Sequence, residues 1–149
     1  MGTNLNLADL INTRKNIIQD EIYQEIIKSQ PELTARYTQE QLIKTNRDIG
    51  YHLSYLKSAI ETSSPTIFAE YVAWVKIILQ EIGIGKNAFR KELEIMLTVL
   101  RHHLPDEYAP VLEQYLNSGM IMLSASCENP ESYINRDNPH AKLANAYLD

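Results

Sequence analysis

Apolar residues recur along this chain at intervals of three and four, which is the period of an amphipathic α-helix. The pattern is clearest over residues 38–63, where five apolar residues form one stripe: Leu42, Ile49, Leu53, Leu56 and Ile60. No segment shows the strict alternation of apolar and polar residues that is typical of a half-buried strand. The pattern therefore predicts an all-α fold, a bundle of about six helices.

Prolines, glycines and capping residues mark the ends of the predicted helices. After a short amphipathic entry over residues 4–10, the helices are expected over residues 13–29, 38–63, 65–82, 86–104 and 106–123. Thr38 with Gln41 three residues later is a capping-box pattern, which predicts the start of the longest helix. Gly50 lies inside that helix, where glycine costs roughly 1 kcal/mol relative to alanine. We expect a close helix crossing at Gly50, with room for a ligand as the alternative.

One side of the predicted helix over residues 13–29 is expected to be buried. It carries five isoleucines: Ile17, Ile18, Ile22, Ile26 and Ile27. The chain changes character after residue 126, because residues 127–139 are polar and rich in asparagine and proline, as linkers are. A helical pattern resumes over residues 140–149 and stops at once. We predict a domain over residues 1–126, followed by a linker and the start of a helix leading to an output domain; the alternative is a tail docked on the core.

Composition and charge exclude several classes of function. The chain has 149 residues, of which 44% are hydrophobic, enough for one domain with a core. Its net charge is −5 and it has no basic run, so we do not expect nucleic-acid binding. A single cysteine permits no internal disulfide, which favours the cytoplasm. No apolar run approaches the roughly 20 residues of a membrane span, so we expect no membrane insertion.

Carboxylates and histidines at helical spacing suggest a metal site. Asp48 and His52 are four residues apart, so their side chains share one helix face. Carboxylates and imidazoles that project inward from several helices build di-iron centres in bundles. The predicted metal ligands are Glu21, Glu25, Asp48, His52, Glu70 and His103. The alternative is that Asp48 and His52 form a hydrogen-bonded pair and that Glu21 and Glu25 face water.

Aromatic residues near His52 suggest a tetrapyrrole pocket as a second possibility. The residues that could wall this pocket are Tyr51, Tyr55, Tyr71 and Trp74. The helix predicted over residues 65–82 contains no histidine to ligate a haem iron, so a bilin is favoured over haem. Aromatic residues at helical spacing also fill cores, which is the alternative for these four.

Residues 36–84 combine a Tyr-Thr start, an Asp-x-x-x-His-Leu-x-Tyr-Leu motif, Pro-x-x-Phe, Tyr-Val and a tryptophan. The residues that carry this pattern are Tyr37, Thr38, Asp48, His52, Tyr55, Pro65, Phe68, Tyr71 and Trp74. The run resembles a helical domain at the front of bacterial cobalamin-binding regulatory proteins, and the helix order resembles the globin and phycobilisome superfamily. The resemblance implies a globin-like sensor domain that pairs with a second copy and binds a bilin or a non-haem iron centre. It does not imply cobalamin binding by this chain.

Three functions are therefore expected, from different classes. The first is a sensory domain, non-catalytic by itself, in which Asp48 fixes the tautomer of His52 and His52 contacts the metal or tetrapyrrole. The second is a cofactor-free interaction module that forms a homodimer. The third is a di-iron oxidoreductase, which we place last because the sequence shows neither a substrate pocket nor an open coordination position.

Overall fold

The computed structural model describes residues 2–124 of the chain. Within this range the chain is helical and has no strand, which confirms the all-α prediction. Six long helices carry the fold: α1 (Gly2–Thr13), α2 (Lys15–Ser29), α4 (Gln39–Glu61), α5 (Pro65–Glu81), α6 (Lys86–His103) and α7 (Ala109–Ser124). A short helix, α3 (Pro31–Thr34), links α2 to α4. None of the helices in this range is long and apolar enough to cross a membrane.

The long helix α4 starts and packs as its sequence predicts. Thr38 is its N-cap: the side chain accepts a hydrogen bond from the Gln41 amide at 3.1 Å, and the Thr38 amide donates to the Gln41 side chain at 2.8 Å. This is the predicted capping box. The apolar stripe is buried at Ile49, Leu53, Leu56 and Ile60 and half-buried at Leu42. Helix α4 contacts α1, α2 and α5, and its His52 is buried together with the apolar stripe.

Three local predictions need correction. The entry segment forms a full helix, α1, because Leu7, Ala8 and Ile11 give it a buried face. Ile17 is 63% exposed although Ile18 is buried, since adjacent helical residues point about 100° apart and cannot share one face. The last helix begins with a 3₁₀ turn over Asp106–Tyr108 before α7 takes over.

Helix α5 is the centre of the bundle. It packs against α4, α6 and α7 and is buried on nearly every side. Trp74 is fully buried for this reason, in agreement with the core position given as the alternative for this residue. Gly119 of α7 permits the close approach to α5, because a Cβ there would lie 2.9 Å from Val72 and 3.0 Å from Phe68. A Cβ at Gly50 would lie 3.0 Å from the side chain of Gln19 on α2, as a helix crossing requires.

Candidate functional site

His52 of α4 is a buried histidine with a polar partner at each ring nitrogen. Its side chain is 2% exposed. Nδ1 lies 2.5 Å from the hydroxyl of Tyr71 on α5, and Nε2 lies 3.2 Å from a carboxylate oxygen of Glu92 on α6. Because a carboxylate only accepts hydrogen bonds, we assign the ring proton to Nε2 and let Nδ1 accept from the Tyr71 hydroxyl. The tautomer is therefore set by Tyr71 and Glu92, a role that the sequence assigned to Asp48.

A small cavity lies beside His52, between the α2–α3 segment, α4 and the start of α6. Its volume is about 40 Å³, and its lining includes Thr34, Tyr37, Asp48, His52 and Glu92. A second depression of about 120 Å³ shares Tyr37 and Asp48 with this cavity and extends along α4 toward the surface. A cavity of this size holds an ion or a few waters, and is far below the roughly 300–1,000 Å³ of common small-molecule pockets.

Asp48 is a carboxyl group in an unfavourable place for a negative charge. Its side chain is 17% exposed, and its oxygen lies 3.3 Å from the guanidinium of Arg47. Burial raises the pKa of Asp48 to about 6; His52 and Arg47 oppose this rise, and the charge of Glu92 adds to it. The carboxyl group therefore gains and loses its proton close to neutral pH.

The predicted aromatic residues take different positions around the site. Tyr55 and Tyr71 stack with their ring centroids 4.2 Å apart, and Tyr71 also meets the edge of the His52 ring. Trp74 is buried in the core, and Tyr51 is half-buried under the guanidinium of Arg47. Tyr55 and Tyr71 thus pack against the polar site, while Trp74 and Tyr51 lie in other surroundings.

The predicted metal ligands fall into two separate groups and one outlier. Asp48 and His52 line the small cavity. Glu21 of α2 and His103 of α6 are hydrogen-bonded to each other elsewhere. Glu25 lines a pocket beside Glu21, where it pairs with Lys28 at 3.8 Å. Glu70 is exposed on α5 and lines neither of these sites.

Distance along α6 keeps the two groups apart. Glu92 belongs to the His52 site and His103 to the Glu21 site, and they are eleven residues apart. At 1.5 Å per residue this is roughly 16 Å along the helix axis. The structure therefore does not bring the six predicted ligands together at one place.

Two residues that complete these groups were missed by the sequence reasoning. Glu92 faces His52, and His102 lies with its Nδ1 3.5 Å from Glu21. Glu92 directly precedes Leu93, one of the buried apolar residues of α6. Its position relative to these apolar residues did not distinguish it from a solvent-exposed residue. The adjacent His102-His103 pair at the end of a helix was a signal that could have been used.

Comparison with known proteins gives no family for this chain. No protein-family model matches it, and no curated protein matches it significantly. The resemblance to globin-like sensor domains therefore stays a prediction, and the functional argument depends on the geometry of the two polar sites.

Proposed function

We propose that this chain is a non-catalytic sensory domain that binds a non-haem divalent metal ion, with iron as the first candidate, in the cavity beside His52. The observation that carries the proposal is that an imidazole and two carboxylates from two helices, His52, Asp48 and Glu92, line one cavity of about 40 Å³. Imidazole and carboxylate are ligands for iron, manganese and zinc.

The electrostatics of the site favour a cation. Asp48 and Glu92 are two acidic groups in a partly buried space, and the charge of Glu92 makes ionisation of Asp48 less favourable. Burial also opposes ionisation of Asp48, whose pKa is raised to about 6. A bound cation offsets both effects, because its positive charge stabilises the ionised form of Asp48.

The nearest ligand pair is already in place. His52 Nε2 and the Glu92 carboxylate are 3.2 Å apart, a separation that two ligands of one ion can have. Asp48 is not part of a group of three ligand atoms within 4.8 Å, so its charge supports the site from farther away. Tyr71 at Nδ1 holds the orientation of the ring, as partners of ligating histidines do.

Ligand binding at Nε2 changes the hydrogen bond on the far side of the ring. Without a bound metal ion, Nε2 carries the proton and faces the Glu92 carboxylate, and Nδ1 accepts from Tyr71. When Nε2 is a ligand, the proton moves to Nδ1, which then donates to the Tyr71 oxygen. The Tyr71 hydroxyl must then point its own proton away from His52. Because Tyr71 lies on the central helix α5 and stacks on Tyr55, this change reaches the core. This tautomer change gives the sensor a route from the ligand to the core.

A metal ion fits this geometry better than a tetrapyrrole does. The cavity of about 40 Å³ is smaller than a bilin or a haem by an order of magnitude. The same small volume leaves no space for an organic substrate, which supports sensing over oxidoreductase chemistry.

The test is metal analysis of the untagged protein with matched variants. We expect one tightly held metal ion per chain at this site, weakened by at least about tenfold in His52→Ala and Glu92→Gln. Glu70→Gln removes an exposed carboxylate of the same protein and should change nothing. Equal metal affinity in all four proteins would overturn the assignment. So would a stoichiometric visible absorption band formed with biliverdin and lost in His52→Ala, which would favour the bilin.

A further inference from the structure

A second cluster of metal-binding side chains joins the end of α6 to α2. The Glu21 carboxylate lies between two imidazoles: one oxygen is 3.5 Å from His102 Nδ1, and the other is hydrogen-bonded to His103 Nε2. One ligand atom from each of the three residues lies within 4.8 Å of the other two. Among residues 2–124 this is the one group of three His, Cys, Asp or Glu side chains gathered so closely.

We propose that Glu21, His102 and His103 bind a zinc ion with one coordination position left open. Two histidines and one glutamate are a ligand set used by catalytic zinc sites, where a water or substrate takes the fourth position. Ligands at about 2.0–2.2 Å from a tetrahedral ion are roughly 3.4 Å apart, close to the observed separation of His102 and Glu21. To ligate the ion, His102 Nδ1 and His103 Nε2 must each be the unprotonated ring nitrogen, with the ring proton on the other nitrogen, and the hydrogen-bonded pair Glu21 and His103 must move apart to admit the ion.

The surroundings of the cluster support a cation. Glu25 and Glu94 line the adjoining pocket, with Lys91 as its one lysine or arginine. Arg14 donates a hydrogen bond to the backbone carbonyl of His103, which fixes the last turn of α6 without using either imidazole. His102 is 71% exposed and His103 23% exposed, so an ion can reach both rings from solvent.

The open position would face a pocket of useful size. This pocket has a volume of about 370 Å³, and Glu21 and His102 form part of its wall. Ile95, Thr98 and Val99 of α6 give it a partly apolar surface. A volume in the range of roughly 300–1,000 Å³ suits a small organic molecule. The ligand class that fits is a small molecule with an oxygen donor, such as a carboxylate, that takes the fourth position on zinc.

This inference is independent of the proposed sensory site. No ligand is shared, and Glu92 and His103 are eleven residues apart on α6. His52→Ala should therefore leave zinc binding at Glu21 unchanged, and Glu21→Gln should leave the His52 site unchanged. Failure of one assignment can thus be separated from failure of the other.

The experiment is zinc titration of the metal-free, untagged full chain by calorimetry, with cobalt absorption as a second readout. We expect one zinc per chain at this site, at least about tenfold weaker binding in Glu21→Gln and in His103→Ala, and intense cobalt bands of tetrahedral coordination. Glu25→Gln is the matched control, because Glu25 lies one turn away in the same pocket and should leave the affinity unchanged.

A thermal shift adds a readout that does not depend on the titration. Zinc should raise the unfolding temperature of the wild type, Glu25→Gln and His52→Ala. It should leave that of the double variant His52→Ala/Glu21→Gln unchanged, because the double variant lacks both proposed sites and zinc then has no preferential binding to the folded state. His102→Ala removes an exposed side chain, so loss of zinc without loss of helicity in this variant would support the site. Zinc affinity that is the same in wild type, Glu21→Gln and His103→Ala would overturn the proposal.

Discussion

At the scale of single residues, folding destabilises the ionised form of Asp48. Its pKa rises from 3.8 to about 6, with burial as the main cause. A shift of that size corresponds to a free-energy cost on the order of 3 kcal/mol at neutral pH. A carboxyl group with such a cost, in a cavity beside a buried histidine, is typical of functional sites more than of structural ones.

Asp48→Asn should stabilise the protein at neutral pH. The raised pKa means that the folded protein binds this proton more tightly than the unfolded chain. Asp48 therefore contributes stability that is present below about pH 4 and is lost as the pH rises through about 6. The free energy of unfolding of the variant, relative to that of the wild type, should therefore increase by about 1–3 kcal/mol as the pH rises from 4 to 7. Urea unfolding across this range measures the difference, and a difference that does not change with pH would contradict the expectation.

The part of each site that the sequence could predict lies on a single helix. Asp48 and His52 share a face of α4 because they are four residues apart. The positions of Glu92 and His102 depend on how α6 packs against α2 and on where it meets His52, which no local pattern contains. Tyr71 was predicted to wall a pocket but is a hydrogen-bond partner of His52. This role likewise depends on which turn of α5 lies opposite His52.

At the scale of elements, helix ends and apolar stripes follow from local chemistry. Two helix ends were predicted because they depend on local sequence. Helix α4 starts at a capping box, and α5 ends near Gly83, which has a φ of 86°. Exposure of Ile17 was not predicted, because adjacent residues of a helix point about 100° apart and the run of isoleucines did not show which of Ile17 and Ile18 faces the bundle. Local sequence therefore gives the elements better than it gives their faces.

Loss of the capping hydroxyl should weaken α4 at its start. Thr38→Ala removes the acceptor for the Gln41 amide, now bonded at 3.1 Å. Removal of such a cap costs about 1 kcal/mol. Chemical denaturation measures this loss, with Thr66→Ala on the exposed first turn of α5 as the control. A Thr38→Ala protein as stable as the control would show that the start of α4 contributes little to the fold.

The two helical glycines should respond differently to the same methyl group. Gly119→Ala places a Cβ against the buried side chains of Val72 and Phe68, so we expect about 1–3 kcal/mol of destabilisation. Gly50→Ala meets the flexible end of Gln19, and the gain in helix propensity, roughly 1 kcal/mol, offsets the shift of that side chain. Thermal unfolding of both variants checks this, and an equal loss in both would contradict it.

At the scale of the whole molecule, one apolar core holds two polar sites at different levels of α6. The sequence predicted the helices and six candidate ligands, but grouped those ligands into one centre. Order along the chain does not say at which level two helices meet, so Glu21 and His103 could not be separated from Asp48 and His52. The predicted domain end at residue 126 and the linker beyond it lie outside the described residues. The homodimer and the output domain stay predictions.

Independence of the two sites can be measured as a coupling energy. Glu21 contacts α6 at His103, which is eleven residues from Glu92, or roughly 16 Å along the helix axis. The effects of Glu21→Gln and Glu92→Gln on the free energy of unfolding should therefore add to within about 0.5 kcal/mol.

Asp48→Asn and Glu92→Gln provide the contrasting pair. Glu92 helps to raise the pKa of Asp48, so removal of its charge lessens what Asp48→Asn can gain. Their effects should fall short of additivity by more than about 0.5 kcal/mol in urea unfolding at pH 7. Coupling between Glu21 and Glu92 as large as this would mean that the two sites act as one network through α6, and the separate zinc and sensory assignments would both have to be withdrawn.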